Sequence, residues 1–151
     1  MESIIRNAES RDLLELRGLM TNLCAHELSL ADIRDRLAFI QASEIDDLFV
    51  LEVDGAVKGL LGFRVRENIE ESSRYGEISV IVTDPESRKL GVGRSLMEYA
   101  ENLAKTRGCK GTWLVSGFGR EEEAHHFYKK LGYEITGYRF VKEESTVEPN
   151  E

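Results

Sequence analysis

The sequence predicts an α/β fold in which a single mixed sheet is flanked by helices. Three observations carry this. Short β-prone runs alternate with segments whose apolar residues recur at helical spacing. Their order is β, α, α, β, β, β, α, β, α, β, β, so hairpins stand beside isolated helical crossovers. The chain has 151 residues, 41% of them apolar and 32% charged, which suits one soluble globular domain.

Ile4 to Ala8 reads as an opening strand. Leu13, Leu16, Met20 and Leu23 recur at helical spacing and predict a helix over 11–24. Ser29 is placed to cap a second helix, with Asp32 three residues on and Ile33, Leu37 and Ile40 as its apolar stripe. Leu48 to Val53 is strand-like, and Asp54-Gly55 is a strong two-residue hairpin signal. The return strand is 57–66, followed by a polar loop over 67–74. Tyr75 to Thr83 is the most β-prone run and stops at Asp84-Pro85. A helix over 92–107 carries Val92, Leu96, Ala100, Leu103 and Ala104 on one face, with Gly108 placed to end it. Thr112 to Ser116 is a further strand. Glu121 to Leu131 is a helix with acids first and lysines last, stopped by Gly132. Two short strands are expected within 133–142, and Glu143 to Glu151 is an acidic tail without periodicity. The expected division is one domain over 1–142 and a flexible tail over 143–151.

Lys plus Arg is 20 and Asp plus Glu is 28, a net charge of −8. That balance argues against nucleic acid or an anionic membrane as a partner, while a local basic patch suffices for one phosphorylated ligand. Cys24 and Cys109 are too few for a disulfide framework. Together with an N-terminus unlike a signal peptide and no apolar run near 18 residues, they point to a cytoplasmic protein.

The segment Val80 to Arg94 carries the chemistry. A β-prone run enters a turn, then a basic Gly-x-Gly loop, then a helix. The helix start has no Ser, Thr, Asp or Asn beside its first apolar residue, so its leading amides want an acceptor. Gly91 and Gly93 leave room for close approach, and Arg88, Lys89 and Arg94 add positive charge. This pattern points to a phosphate or pyrophosphate site. It is not a Walker loop, because Arg94 follows Gly93 where a lysine is needed, and it is not a dinucleotide fingerprint, because position 96 is Leu.

Arg88-x-x-Gly91-x-Gly93, preceded by Asp84-Pro85, resembles the acetyl-CoA loop of the GNAT superfamily of N-acetyltransferases. Ala124-His125-His126-Phe127-Tyr128 with Gly132-Tyr133 is similar to a second segment of that family, at the usual separation. Ile5-Arg6-x-Ala8-x-x-x-Asp12-Leu13 looks like its first strand and helix, so the resemblance spans residues 4–142.

The resemblance implies a mostly antiparallel, splayed sheet with acetyl-CoA as cosubstrate and no metal. The cofactor would lie between the strand ending at Thr83 and the one at 112–116. Backbone groups of Ile81, Val82 and Thr83 would hold the pantetheine arm. Amides of Lys89, Leu90, Gly91, Val92, Gly93 and Arg94, with the Arg88 side chain, would hold the pyrophosphate. Tyr128 matches the tyrosine that protonates the leaving thiolate, a task suited to a phenol of ordinary pKa near 10. Glu77 lies eleven residues before Arg88, the offset of a base glutamate in one branch of the family. An ion pair with Arg74 or Arg64 is its alternative role. Glu27, between the first two helices, is a candidate for binding the acceptor amine. His125 and His126, adjacent on a helix, point about 100° apart and suit no chelate; His125 reads as a packing residue. Phe127 reads as core and Cys109 as a buried thiol. The family's usual cofactor-contacting Asn is Glu121 here, with Ser116 or Arg120 as substitutes. Acetyl transfer to a primary amine by direct attack follows. The acceptor is a small molecule or a protein or peptide amine, and local acidic residues hint at a cationic one. A homodimer is the assembly the resemblance implies. The alternative function is a non-catalytic acyl-CoA-binding or regulatory domain of the same fold.

Overall fold

The computed structural model describes residues 2–24, 26–116 and 121–144. Its sheet has five strands in the order β1-β2-β3-β4-β5. These are β1 (Ser3–Asn7), β2 (Asp46–Val53), β3 (Ala56–Glu67), β4 (Arg74–Thr83) and β5 (Thr112–Leu114). The first four pair antiparallel, and β5 joins β4 in parallel. The order arises because β1 reaches β2 over two helices, β2, β3 and β4 follow as hairpins, and β5 returns after one helical crossover.

The β2–β3 turn shows how directly the chain dictates the fold. Asp54 and Gly55 have φ of 50° and 85°, the paired positive values that a tight turn between right-twisted strands needs. Helix α1 (Leu13–Cys24) begins two residues later than the spacing predicts, because Ser10–Asp12 form a 3₁₀ turn first. Leu16 and Leu19 are its buried residues, while Leu23 stays 42% exposed. Helix α2 (Leu30–Ala42) starts where Ser29 Oγ accepts the Asp32 amide at 3.0 Å. Its Ile33 and Leu37 join Ala8, Leu16, Leu19, Val50, Leu60 and Val82 in one core on the α1/α2 side of the sheet. Helix α3 (Val92–Thr106) covers the other side through Val92, Leu96, Met97, Ala100 and Ala104. It ends where Gly108, at φ 75°, lets the Gly108 and Cys109 amides donate back to Lys105 and Ala104.

A first compact unit runs to Leu114 and a second begins at Val115. In the second, Glu121–His125 is a π-helical turn and only His126–Lys130 is α-helix, here α4. The predicted continuous helix is thus shorter and partly wider. Gly132, at φ 96°, stops it as expected, with its amide and that of Tyr133 donating to Lys129 and Tyr128. Phe127 is half-buried, not core. The two strands expected within 133–142 are absent among the described residues. Ile135, Tyr138, Phe140 and Val141 are 61, 87, 94 and 63% exposed, and β-prone residues without a neighbouring ladder do not make a strand. The tail from residue 145 on lies outside the described residues.

One buried charge fixes the start of the chain. Asp12, 3% exposed, takes two hydrogen bonds of 2.8 Å from the Arg6 guanidinium and one from the Glu9 amide. The Arg6 hydrogen bond depresses the Asp12 pKa against the opposing effect of burial, and the Glu9 amide helps. A carboxylate with a lowered folded pKa stabilises fully above its unfolded value, near pH 4. That stability is lost as pH falls through the folded pKa. Asp12→Ala is therefore expected to cost about 3 kcal/mol at pH 7 and to flatten the acid side of the stability curve. Urea melts between pH 2 and 7 check both, and parallel curves for the two proteins would sink the assignment.

Candidate active site

The site grows from the point where β4 leaves its neighbours. Antiparallel pairing holds β4 to β3 along most of its length, but the register slips between Gly62 and Phe63. Gly62 lies opposite Val80 and Phe63 opposite Ile78, so Ser79 is an extra residue, a β-bulge. A Cβ on Gly62 would stand 2.5 Å from Ser79 Oγ and 2.6 Å from Val80 Cγ1. Two successive β4 side chains crowd one β3 position, and only glycine fits there. Gly62→Ala should open the bulge and destabilise by about 1–3 kcal/mol; a thermal melt unchanged within a degree would contradict this.

The bulge coincides with a parting of strands. The β4–β5 ladder covers Gly76, Glu77 and Ile78 and then stops. Beyond it, Ser79 to Thr83 have no β5 partner among the described residues. Ile81, Val82 and Thr83 lie on this stretch. Bulges that re-aim backbone groups recur next to active sites.

From Thr83 the chain runs directly into the basic loop. Asp84 accepts the Glu86 amide at 3.2 Å, and Pro85 starts a 3₁₀ turn that ends at Leu90. Asp84 is held to β3 by its own amide on the Lys58 carbonyl, at 2.8 Å, and by Lys58 Nζ at 3.4 Å. Ser87 is buried beneath the turn, its amide on the Asp84 carbonyl. Gly91 then adopts φ 73°, ψ 23°, and α3 begins at Val92 with no side-chain cap. Arg88, Lys89, Leu90, Gly91 and Arg94 are exposed, whereas Val92 is buried. Arg94 makes a long contact to Glu98, at 3.6 Å.

This loop suits a pyrophosphate. A Cβ on Gly91 would meet nothing within 4 Å, so the backbone is open to approach. An uncapped helix N-terminus offers amides and a positive field to an anion. The helix is set close to the sheet by Gly59, where a Cβ would stand 2.7 Å from Val92 Cγ1 and 3.0 Å from Leu96 Cδ1.

The other predicted residues fall as follows. Glu77 is half-buried on β4, two residues before the bulge. Its side-chain partner is Arg66, with Oε1 3.7 Å from Nε, not Arg74. Arg64 stands opposite it in register and feels its charge. Glu27 is exposed in the link between α1 and α2. In the second unit Tyr128 is half-buried, its ring edge-on to Phe127 at 5.3 Å and to Tyr133 at 6.2 Å. His125 is half-buried and His126 exposed. Residues 117–120, including Arg120, lie outside the described residues. Cys109 is half-buried rather than buried, and loss of solvent raises its thiol pKa. An unactivated thiol of this kind is a poor nucleophile.

Sequence reasoning missed Lys58, Ser87, Gly59 and Gly62 as builders of the site, and the capping role of Asp84. The signals were present: Asp-Pro before a helical turn is a capping pattern. Glycine inside a strand marks a bulge or a close backbone approach.

A family model described as the Acetyltransferase (GNAT) family matches residues 13–133. An aminoalkylphosphonate N-acetyltransferase of Salmonella typhimurium is 28% identical over 91% of this chain and 89% of its own length. A GNAT family acetyltransferase of Staphylococcus aureus has a solved structure that superposes with a TM-score of 0.80 at 26% identity. It covers 95% of this chain and 100% of that one. The structure of an aminoglycoside N-acetyltransferase in complex with CoA shares the fold at a TM-score of 0.80 and 19% identity, covering 97% of this chain and 96% of that one. With the matched span enclosing the bulged strand, the basic loop and the segment of Tyr128, this chain belongs to the GNAT family of acetyltransferases and is an N-acetyltransferase.

Proposed function

We propose that the protein transfers the acetyl group of acetyl-CoA to the primary amine of a small molecule by direct attack. The observation that carries this is the uncapped N-terminus of α3, set beside the basic turn at the end of β4 where that strand has left β5. Amides of Lys89 to Arg94 and the Arg88 side chain bind the pyrophosphate. The backbone of Ile81 to Thr83 binds the pantetheine arm, and a backbone N–H near Val82 polarises the thioester carbonyl. Glu77 accepts the proton that the amine must lose, either directly or through water. The amine nitrogen attacks the carbonyl carbon, the carbon–sulfur bond breaks, and Tyr128 donates a proton to the sulfur. Holding the two reactants in line supplies much of the rate.

A small-molecule acceptor is supported by the relatives, whose names specify an aminoalkylphosphonate and an aminoglycoside. No helix among the described residues is long and apolar enough to cross a membrane. With two free cysteines, we place the reaction in the cytoplasm.

Calorimetric titration with acetyl-CoA, using ATP as control, tests the reading. Saturable binding of acetyl-CoA alone supports it, and a folded sample that ignores acetyl-CoA overturns it. Glu77→Gln should lower kcat/KM about 100-fold and steepen its rise toward alkaline pH, where free amine becomes abundant. Superimposable pH profiles would make water the base.

A further inference from the structure

One group of charged side chains is left unused by this mechanism beyond Glu77. The even-numbered residues of β3 face α1 and α2: Leu60 lies in the core beneath those helices, and Gly62, Arg64 and Arg66 follow on the same face. The helices cover only the first part of it. Leu60 is 1% exposed, whereas the side chain of Arg64 is 35% and that of Arg66 50% exposed. On the flanking strands, Asp46 of β2 and Glu77 of β4 both stand opposite Arg64. The open half of the face thus carries four charges: Asp46, Arg64 and Glu77 abreast on three strands, and Arg66 two residues along β3 from Arg64.

The two arginines are held differently. Arg64 donates from Nε to Asp46 Oδ1 at 2.7 Å, and Asp46 also accepts from Ser43 Oγ at 2.9 Å. That hydrogen bond raises the Arg64 pKa against the effect of burial, and the charges of Asp46 and Glu77 add to it. Arg64 is a fixed structural charge. Arg66 approaches Glu77 only at 3.7 Å, too far for a hydrogen bond. Half-exposed pairs of this kind contribute about 0–1 kcal/mol. Little is lost when a ligand separates them.

Building on the transfer reaction proposed above, we infer that Arg66 binds an anionic group of the acceptor while Glu77 receives its amine. The acceptor is then a small zwitterion, an amine that carries a carboxylate or a phosphonate. Such a ligand exchanges one weak ion pair for two. The guanidinium fork matches either oxyanion with paired hydrogen bonds. Neighbouring strands lie about 4.8 Å apart and alternate residues about 6.8 Å apart. An amine at Glu77 and an anion at Arg66 therefore require a linker of only a few atoms. A polyamine has no partner for Arg66 and is repelled by both arginines. The cationic acceptor at which the local acidic residues hint gives way here to a zwitterionic one.

The test is a matched series with the full chain and acetyl-CoA: 3-aminopropylphosphonate, 4-aminobutanoate, n-butylamine and spermidine, followed by release of CoA thiol. The expected kcat/KM for at least one anionic amine exceeds that for butylamine by about 10–100-fold, and comparison of the two anions tells carboxylate from phosphonate. In Arg66→Ala this preference collapses toward one, through KM rather than kcat, and Arg66→Lys restores part of it. Equal use of butylamine, preference for spermidine, or an unchanged preference in Arg66→Ala overturns the inference. If no amine releases thiol, the same amines are titrated calorimetrically into the CoA-loaded protein. Binding of an anionic amine that is lost in Arg66→Ala then supports the anion site while the transfer reading falls. Absence of binding overturns the site, and acetyl-CoA binding, measured separately, reports on the cofactor loop alone.

Discussion

Gly91→Glu is expected to abolish measurable acetyl-CoA binding in a protein that still folds. Two separate effects meet at this residue. The first is conformational. Gly91 sits at φ 73°, where a side chain costs roughly 1–2 kcal/mol. A Cβ at this position would meet no atom within 4 Å, so no clash adds to that cost. For a chain of this size the melting temperature should fall by about 2–8 °C, which leaves a folded protein at room temperature. The second effect is electrostatic. A carboxylate at the start of α3 supplies the acceptor that the uncapped amides of Val92 onward lack, and it pairs with Arg88, Lys89 or Arg94. It also repels a pyrophosphate from the same place. The dissociation constant should rise at least about 100-fold, from the loss of two or more charge-assisted hydrogen bonds. Gly91→Ala separates the two effects: it carries the strain without the charge and should lose much less affinity. If Gly91→Glu binds acetyl-CoA within threefold of the wild type by calorimetry, the loop is only a turn.

The basic loop was legible in the sequence because its logic is local. Gly91 and Gly93 with Arg88, Lys89 and Arg94 fall within seven consecutive positions, and an absent cap is visible as an absent residue type. Hairpins and helix stops were legible for the same reason: Asp54-Gly55, Gly108 and Gly132 all take the positive φ that their place in the pattern demands. What could not be read depends on residues far apart in the chain. The bulge at Ser79 exists because Gly62, seventeen positions away, leaves room for two side chains. The partner of Glu77 is Arg66 because the shifted hairpin register sets it there, while Arg74 turns instead to Glu67 at 2.9 Å. Strand alternation within one segment cannot choose among three nearby arginines. The strands expected within 133–142 show the opposite error. Alternating Tyr133, Ile135 and Tyr138, Phe140 suggest β-structure locally, but pairing is not a local property, and Ile135, Tyr138 and Phe140 remain exposed.

Tyr128→Phe is expected to lower kcat by about 100-fold while acetyl-CoA affinity stays at the wild-type value. The ring is held by its edges against Phe127 and Tyr133, and the Tyr128 carbonyl accepts the Tyr133 amide at 3.0 Å. Phenylalanine preserves the ring contacts and the backbone bond, so the substitution confines the change to the hydroxyl. The proposed role of that hydroxyl is confined to the step in which sulfur leaves. A thiol of ordinary pKa near 8.5 is already a fair leaving group, which places the loss at the low end of general acid effects. The same reasoning predicts how the loss varies. An acetyl thioester of a more acidic thiol needs less protonation and should be less sensitive to Tyr128→Phe than acetyl-CoA is. Falling kcat with an unchanged dissociation constant separates this role from a merely packed aromatic, whose contacts phenylalanine keeps and whose replacement would leave kcat as it was. A variant with unaltered kcat for both thioesters would remove Tyr128 from the chemistry and leave the sulfur to be protonated by solvent.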